Sequence, residues 1–240
     1  MSWESSALYY RLINEGIRDQ LGGLHSAKIL MASVDFADIE RLQSAGDWDS
    51  AGAILAQQAY SLQVAGADFV VLCTNTMHKV APQIEKALAI PLLHLADATA
   101  KVVTRSGVRT VGLLGTAFTM EQDFYIQRLR SNGLTVIVPD AAQRALIHRV
   151  IYDELVLGVI SDASREQYVA IIASMQARGA EGVILGCTEI ELLLGDNDSP
   201  IPTFATTRIH AEAAVKLALS RGRGAVSERE HVVRPVESDR

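Results

Sequence analysis

Short apolar runs alternate with longer amphipathic stretches along the chain. Residues 28–34 (KILMASV), 67–73 (ADFVVLC), 90–95 (IPLLHL), 109–115 (RTVGLLG), 134–138 (LTVIV), 181–187 (EGVILGC) and 201–204 (IPTF) are nearly continuous apolar runs. That is the pattern of strands covered on both sheet faces. Residues 6–21, 48–65, 96–106, 120–131, 141–157, 164–178 and 207–220 predict helices. Gly66, Gly107, Gly133 and Gly179 stand where helix C-terminal caps are wanted. Strand–helix alternation of this kind predicts an α/β fold with parallel sheets. The last stretch is charged and aperiodic, so 222–240 is expected to be a mobile charged tail.

The chain also repeats itself. GADFVVLCTNT (66–76) aligns without gaps on GAEGVILGCTE (179–189). Each follows a predicted glycine-capped helix, and each puts a β-run before a cluster of Cys and Thr. Ile90-Pro91 and Ile201-Pro202 open a second pair of strands at similar spacing. Two pseudo-symmetric α/β domains are expected, with the site between their facing strand ends. The first would span 1–96 plus 207–221 and the second 97–206.

Composition narrows the function. The 240 residues are 49% hydrophobic and 21% charged, enough for a large core. A net charge of −6 gives no footprint for nucleic acid or an anionic membrane. The sequence shows neither an apolar run of membrane-spanning length nor a basic-then-apolar leader, which suggests a cytoplasmic protein. Cys73 and Cys187 are too few for a disulfide framework or a zinc site, so no metal is expected. GLLGT lacks phosphate-loop spacing.

The repeat sorts the candidate chemistry. It sets Thr74, not Cys73, against Cys187. Strand neighbours face opposite sides, so Cys73 is expected in the core as a small hydrophobe. Cys187 ends its strand and is followed by Thr188 and Glu189, which read as an opening helix. Such a position lowers a thiol pKa, and sites in α/β sheets lie at the carboxyl ends of strands.

These segments resemble the aspartate/glutamate racemase family. The family's Cys-Asn-Thr-x-His signature corresponds to Thr74-Asn75-Thr76-Met77-His78, and its Gly-Cys-Thr-Glu to Gly186-Cys187-Thr188-Glu189. SVDFADIERLQ (33–43), GLLGTAFTMEQDFY (112–125) and IHAEAAV (209–215) are also similar to family segments. The resemblance implies a cofactor-independent racemase of acidic amino acids, aspartate or glutamate. Cys187 and Thr74 would be the two acid/base groups, with Thr74 in the place of a first cysteine, as in the subgroup specific for the L-enantiomers. Gln43, Asn75, Thr76 and Thr188 would bind substrate, and a homodimer is compatible with the resemblance. Removing an α-proton on one face and returning one on the other needs two groups flanking one carbon. A thiol of unperturbed pKa about 8.5 suits that task; a threonine hydroxyl is a far weaker acid and needs help.

Other residues carry blander readings. His78 is a cap or a helper; His94, Asp97 and His210 are structural. His148 and Glu154 lie on a helix able to close over the site. Relatives carry an apolar strand before the segment that reads here Ser2-Trp3-Glu4-Ser5, so the first unit is expected to lack the family's first strand and expose an apolar groove. Ala205 stands where relatives carry an aspartate. Alternatives are a hydantoin-type racemase, a related isomerase or decarboxylase, or a non-catalytic amino-acid-binding relic.

Overall fold

The computed structural model describes residues 2–195 and 197–229, with side chains as far as Arg221. Helix α1 (Trp3–Leu21) leads through an extended stretch into α2 (Phe36–Ser44) and α3 (Trp48–Val64). Strand β1 (Val70–Val71) passes into a 3₁₀ turn (Thr76–Val80) and α4 (Ala81–Ala87); β2 (Leu92–Leu93) passes into α5 (Leu95–Arg105). Then come β3 (Thr110–Gly115), α6 (Ala117–Glu121), α7 (Asp123–Ser131), β4 (Thr135–Ile137) and α8 (Ala141–Asp153). A second 3₁₀ turn (Leu155–Leu157) precedes α9 (Asp162–Ala177), β5 (Gly182–Gly186), α10 (Ile190–Leu193), β6 (Thr203–Ala205) and α11 (Thr206–Arg229). Helix α11 therefore outruns its predicted end and takes up the start of the expected tail; 230–240 lie outside the described residues. Among the described residues, no helix is long and apolar enough to cross a membrane.

All strand pairing is parallel. One sheet has the order β4-β3-β5-β6; β1 and β2 form a separate pair. The four-stranded sheet is buried on both faces, as its apolar runs demand. Val183 and Leu185 of β5 point into a core with Ile147, Tyr168 and Met175, while Ile184 between them points to the opposite core with Val103 and Leu129. This is the two-residue period of a strand. A third core, around Ile39, Leu55, Met77 and Ile84, serves the first half.

The repeat seen in the sequence extends to hydrogen bonds and register. Val70 pairs with Leu92 and Val71 with Leu93; their counterparts Val183 and Thr203, and Ile184 and Phe204, pair in the same way. The helix ends match too. Gly66 and Gly179, at φ 98° and 97°, donate to Gln63 and Gln176 carbonyls, and the following Ala67 and Ala180 donate to Leu62 and Met175. This double bond closes a helix through a left-handed residue, which glycine adopts without a Cβ clash.

The halves differ at one place. In the second, β3 lies between β4 and β5. In the first, β1 has a ladder partner on one edge only, and residues 28–34, expected as a strand, join no ladder. Between 26–34 and 65–73 lies an open slot of about 840 Å³, lined also by Ile13, Ile17, Leu55 and Ala214. Leu30 and Met31 stay about half exposed, at 48% and 51%. The slot is the first-half counterpart of the place that β3 fills, and its open edge explains why 28–34 forms no strand: a strand needs a neighbour to take its N–H and C=O groups. Ser2 sits at the carboxyl end of the strands, beside Gly186 and Cys187. An apolar strand-forming segment joined ahead of Ser2 is expected to enter the slot. It should raise the melting temperature by roughly 2–4 °C per kcal/mol of net burial and reduce binding of a hydrophobic dye. Equal melting curves and equal dye binding, measured by calorimetry and fluorescence, would contradict this.

Candidate active site

Two strand ends meet in one small cleft. Ser2, Ser5, Phe36, Gln43, Thr74, Asn75, Thr76 and Thr116 line it together with Ile151, Tyr152, Val156 and the run Gly186–Glu189. All six residues singled out from the sequence, Thr74, Cys187, Gln43, Asn75, Thr76 and Thr188, thus share the cleft. Cys73 lines the slot instead, its Sγ 3.9 Å from the Val71 carbonyl. Burial pushes the Cys73 thiol up to about 11.

Backbone packing sets the position of Cys187. Gly186 pairs with Gly115 across β3 and β5. A Cβ on Gly186 would lie 2.8 Å from the Leu114 carbonyl oxygen, and one on Gly115 would lie 3.2 Å from the Gly186 oxygen. Neither backbone atom can retreat cheaply, so the approach of the two strands requires glycine. Cys187 follows at once and leaves the sheet in a bend.

The thiol is not in the environment the sequence suggests. A lowered pKa at a helix N-terminus was the expectation, but α10 starts only at Ile190 and is four residues long. The Cys187 Sγ–H instead donates to Glu189 Oε2 at 2.9 Å. Burial first, and the Glu189 charge second, push the thiol pKa well above its ordinary value. At neutral pH Cys187 therefore rests as a thiol, with a carboxylate in place to take its proton.

Thr74 is held by its backbone. Its N–H donates to the Leu72 carbonyl at 2.8 Å, and its carbonyl accepts His78 Nδ1–H at 2.6 Å. The other ring nitrogen of His78 accepts the Leu95 N–H at 3.1 Å, which fixes the tautomer. Both nitrogens are used on backbone groups, so His78 acts as a strut for the Thr74 strand end and not as a base on its hydroxyl. Burial, with His94 and His210 nearby, pushes the His78 pKa well down. His94 caps α5 by accepting the Ala96 N–H. His210 spans the Tyr9 hydroxyl at 2.9 Å and the Leu93 carbonyl at 2.7 Å. Asp97 receives a two-pronged ion pair from Arg128 at 2.7 and 2.6 Å. Among the described residues, no group of three or more His, Cys, Asp or Glu is placed to hold a metal.

Polar side chains ring the two groups. Ser5 and Thr188 hydroxyls are 2.9 Å apart, and Thr76 and Thr116 hydroxyls 3.3 Å. Asn75 donates to Thr206 Oγ1 at 3.2 Å, while its Oδ1 is a buried acceptor without a partner among the described residues. Buried Gln43 lines the cleft together with Tyr152. Tyr152 escaped the sequence reading, which singled out His148 on the same helix. His148 accepts the Ala117 N–H at the start of α6, and its ring packs at a tilt against Tyr152, 4.7 Å between centroids. The i, i+4 spacing puts both on one helix face, but only Tyr152 reaches the cleft. Glu154 accepts from Ser164 at 2.6 Å. Ala205 of β6 pairs with Leu185 of β5 and is not among the described lining residues.

The fold and cleft define a class: an α/β protein of two repeated halves that brings a thiol and a hydroxyl together from two different sheets. The model of the Asp/Glu/hydantoin racemase family matches residues 1–214, and the chain belongs to that family. A candidate Asp/Glu racemase from Yersinia pestis is 53% identical, with a TM-score of 0.87 over 91% of this chain and 95% of the other. An aspartate racemase homologue from Pyrococcus horikoshii is 32% identical, with a TM-score of 0.81 over the same shares, 91% and 95%. The broad specificity amino-acid racemase RacX of Bacillus subtilis is 26% identical over 177 residues, 72% of this chain and 75% of its own length.

The Glu189 charge raises the thiol pKa, so removing it must lower that pKa. In Glu189→Gln the thiolate should form at lower pH than in the parent chain, as read by ultraviolet thiolate absorbance or by the pH dependence of alkylation, with Cys73→Ala as the background for both. An unchanged or higher titration midpoint would contradict the assignment.

Proposed function

We propose that the chain racemises an α-amino acid without a cofactor, using Cys187 and Thr74 as the two acid/base groups. The observation that carries this reading is the placing of both side chains in one cleft from pseudo-equivalent strand ends. Membership of the family supports the reaction class. The family name carries aspartate, glutamate and hydantoins, while the name of the RacX relative carries a broad range of amino acids. The chemistry itself occurs at Cα and is independent of the side chain.

Substrate binding starts with the groups common to all amino acids. Thr188, Thr76 and the backbone N–H groups of the two turns offer donors to the α-carboxylate. The unpartnered Asn75 Oδ1 offers an acceptor to the ammonium. Cys187 passes its proton to Glu189 across their 2.9 Å contact and, as thiolate, takes the α-proton. The Thr74 hydroxyl gives its proton to the opposite face of the carbanion. The resulting alkoxide recovers a proton from Glu189 through solvent, which restores the starting state. Each proton is accounted for, and each group need move only a hydrogen.

The two bases are unequal. The thiol can exchange with solvent and return a proton to the face it came from, whereas inversion requires the weaker hydroxyl. With Cys187 taken as the base for the L-enantiomer and Thr74 for the D-enantiomer, deuterium in heavy water should enter the L-enantiomer of an accepted amino acid faster than that enantiomer inverts, with no such excess for the D-enantiomer. Cys187→Ala should abolish both processes and stay folded. The measurement is proton NMR of Cα–H alongside circular dichroism of the substrate. Exchange that only keeps pace with inversion in both enantiomers would contradict the unequal pair.

A further inference from the structure

Resting on the racemase reading, we infer that Glu191, which no step of the reaction uses, is a positioning residue that holds the Cys187 turn and the Asn75 side chain in one fixed relation. The link runs through the start of α11. Glu191 belongs to α10, the four-residue helix that follows the Cys187–Glu189 run. Its Oε1 accepts the Thr207 N–H at 3.1 Å. One residue earlier, the Thr206 hydroxyl donates to the Leu185 carbonyl of β5 at 2.8 Å and accepts from Asn75 Nδ2 at 3.2 Å. Thr206 and Thr207 are both buried.

Segments of both halves thus meet at the first two residues of α11. Strand β5 leads into the Cys187 turn, and Glu191 ties the far side of that turn to the same point. Asn75 comes from the other half, and its bond to Thr206 sets how its amide lies. That bond occupies Nδ2 and leaves the buried Oδ1 as the acceptor for the substrate ammonium. A shift of the α11 tip relative to α10 therefore moves a substrate-binding atom relative to Cys187.

Stability does not explain the carboxyl. Burial acts on it most and raises its pKa to about 7; the Thr207 N–H and the Arg208 charge pull the other way, and Glu189 adds to the rise. Tyr9 of α1 is a further titratable neighbour, and burial first, then the Cys73 and Glu191 charges, push its pKa well up. A carboxyl that holds its proton more firmly in the folded chain than in the unfolded one lowers stability as pH rises from the ordinary carboxylate range through about 7. Ionised Glu191 is therefore costlier to the fold than its neutral form, although a carboxylate at a helix N-terminus is by itself favourable. A residue acting only as a cap for α11 would show the opposite balance.

Two variants separate position from stability. Glu191→Leu removes the acceptor, and Glu191→Gln keeps an acceptor and removes the charge. For an accepted L-amino acid at pH 8, followed by circular dichroism, Glu191→Leu should raise KM at least fivefold with kcat within threefold of the parent chain, and Glu191→Gln should bring KM back to within twofold. An unmoved KM in a folded Glu191→Leu, or a loss confined to kcat, overturns the inference. The melting temperature of Glu191→Gln relative to the parent should rise between pH 5 and pH 8; a fall assigns Glu191 to stability and overturns it too. A third measurement needs neither turnover nor the leucine variant. The nitrogen-15 signal of the Asn75 side-chain amide, assigned by its loss in Asn75→Asp, should move as pH passes through 7 in the parent and hold still in Glu191→Gln. Equal behaviour in the two chains means that Glu191 is not coupled to Asn75. Absence of turnover by the parent overturns the racemase reading alone, and the Asn75 signal still decides the coupling.

Discussion

Parallel pairing leaves a strand no freedom in where it leaves the sheet, and the site depends on that constraint twice. Once Val70 lies opposite Leu92, and Val183 opposite Thr203, the chain must emerge from both pairs at equivalent points. The residues emerging there are Thr74 and Cys187. The contact of Gly186 with the Leu114 carbonyl tightens the second of these exits, because a side chain of any size would force β5 away from β3. The first exit is tightened differently, by the His78 ring bridging the Thr74 carbonyl and the Leu95 N–H. Similar placing is thus reached by close backbone packing in one half and by a side-chain strut in the other.

Electrostatics then sets what the two groups can do. The Cys187 region offers a carboxylate, and the Thr74 region offers the neutral His78 imidazole, both of whose nitrogens bind backbone. Neither half brings a cation into the described lining. The substrate's own ammonium supplies positive charge next to the reacting carbon.

Much of this was legible in the sequence because it is local. The apolar runs of β3 and β5, the capping glycines Gly66 and Gly179, and the offset of Thr74 against Cys187 all follow from short-range pattern. What was not legible depends on partners distant in the chain. Residues 28–34 have a strand's composition but join no ladder, since no strand lies beside them. Helix α2 is nine residues long and is anchored by the Asp35 side chain on the Ala37 N–H, too short a stretch for periodicity to announce. The sequence shows Glu189 two positions from Cys187, yet not that its carboxylate turns back onto the sulfur and reverses the expected pKa shift. Tyr152 was hidden for a similar reason. Periodicity places it on one face with His148 but cannot say which of the two overhangs the cleft.

The most direct test of the account is to give Thr74 the acidity it lacks. Racemisation has an equilibrium constant of one, so kcat/KM must be equal in the two directions, and a weak proton donor slows both. Thr74→Cys puts a thiol at each strand end. Initial rates from pure L and pure D substrate, followed by circular dichroism, should rise together, by tenfold or more, if Thr74 and Cys187 flank the same carbon. A folded Thr74→Cys variant whose rates are unchanged, beside a Cys187→Ala variant that is inactive, would contradict the claim that the hydroxyl is the second group.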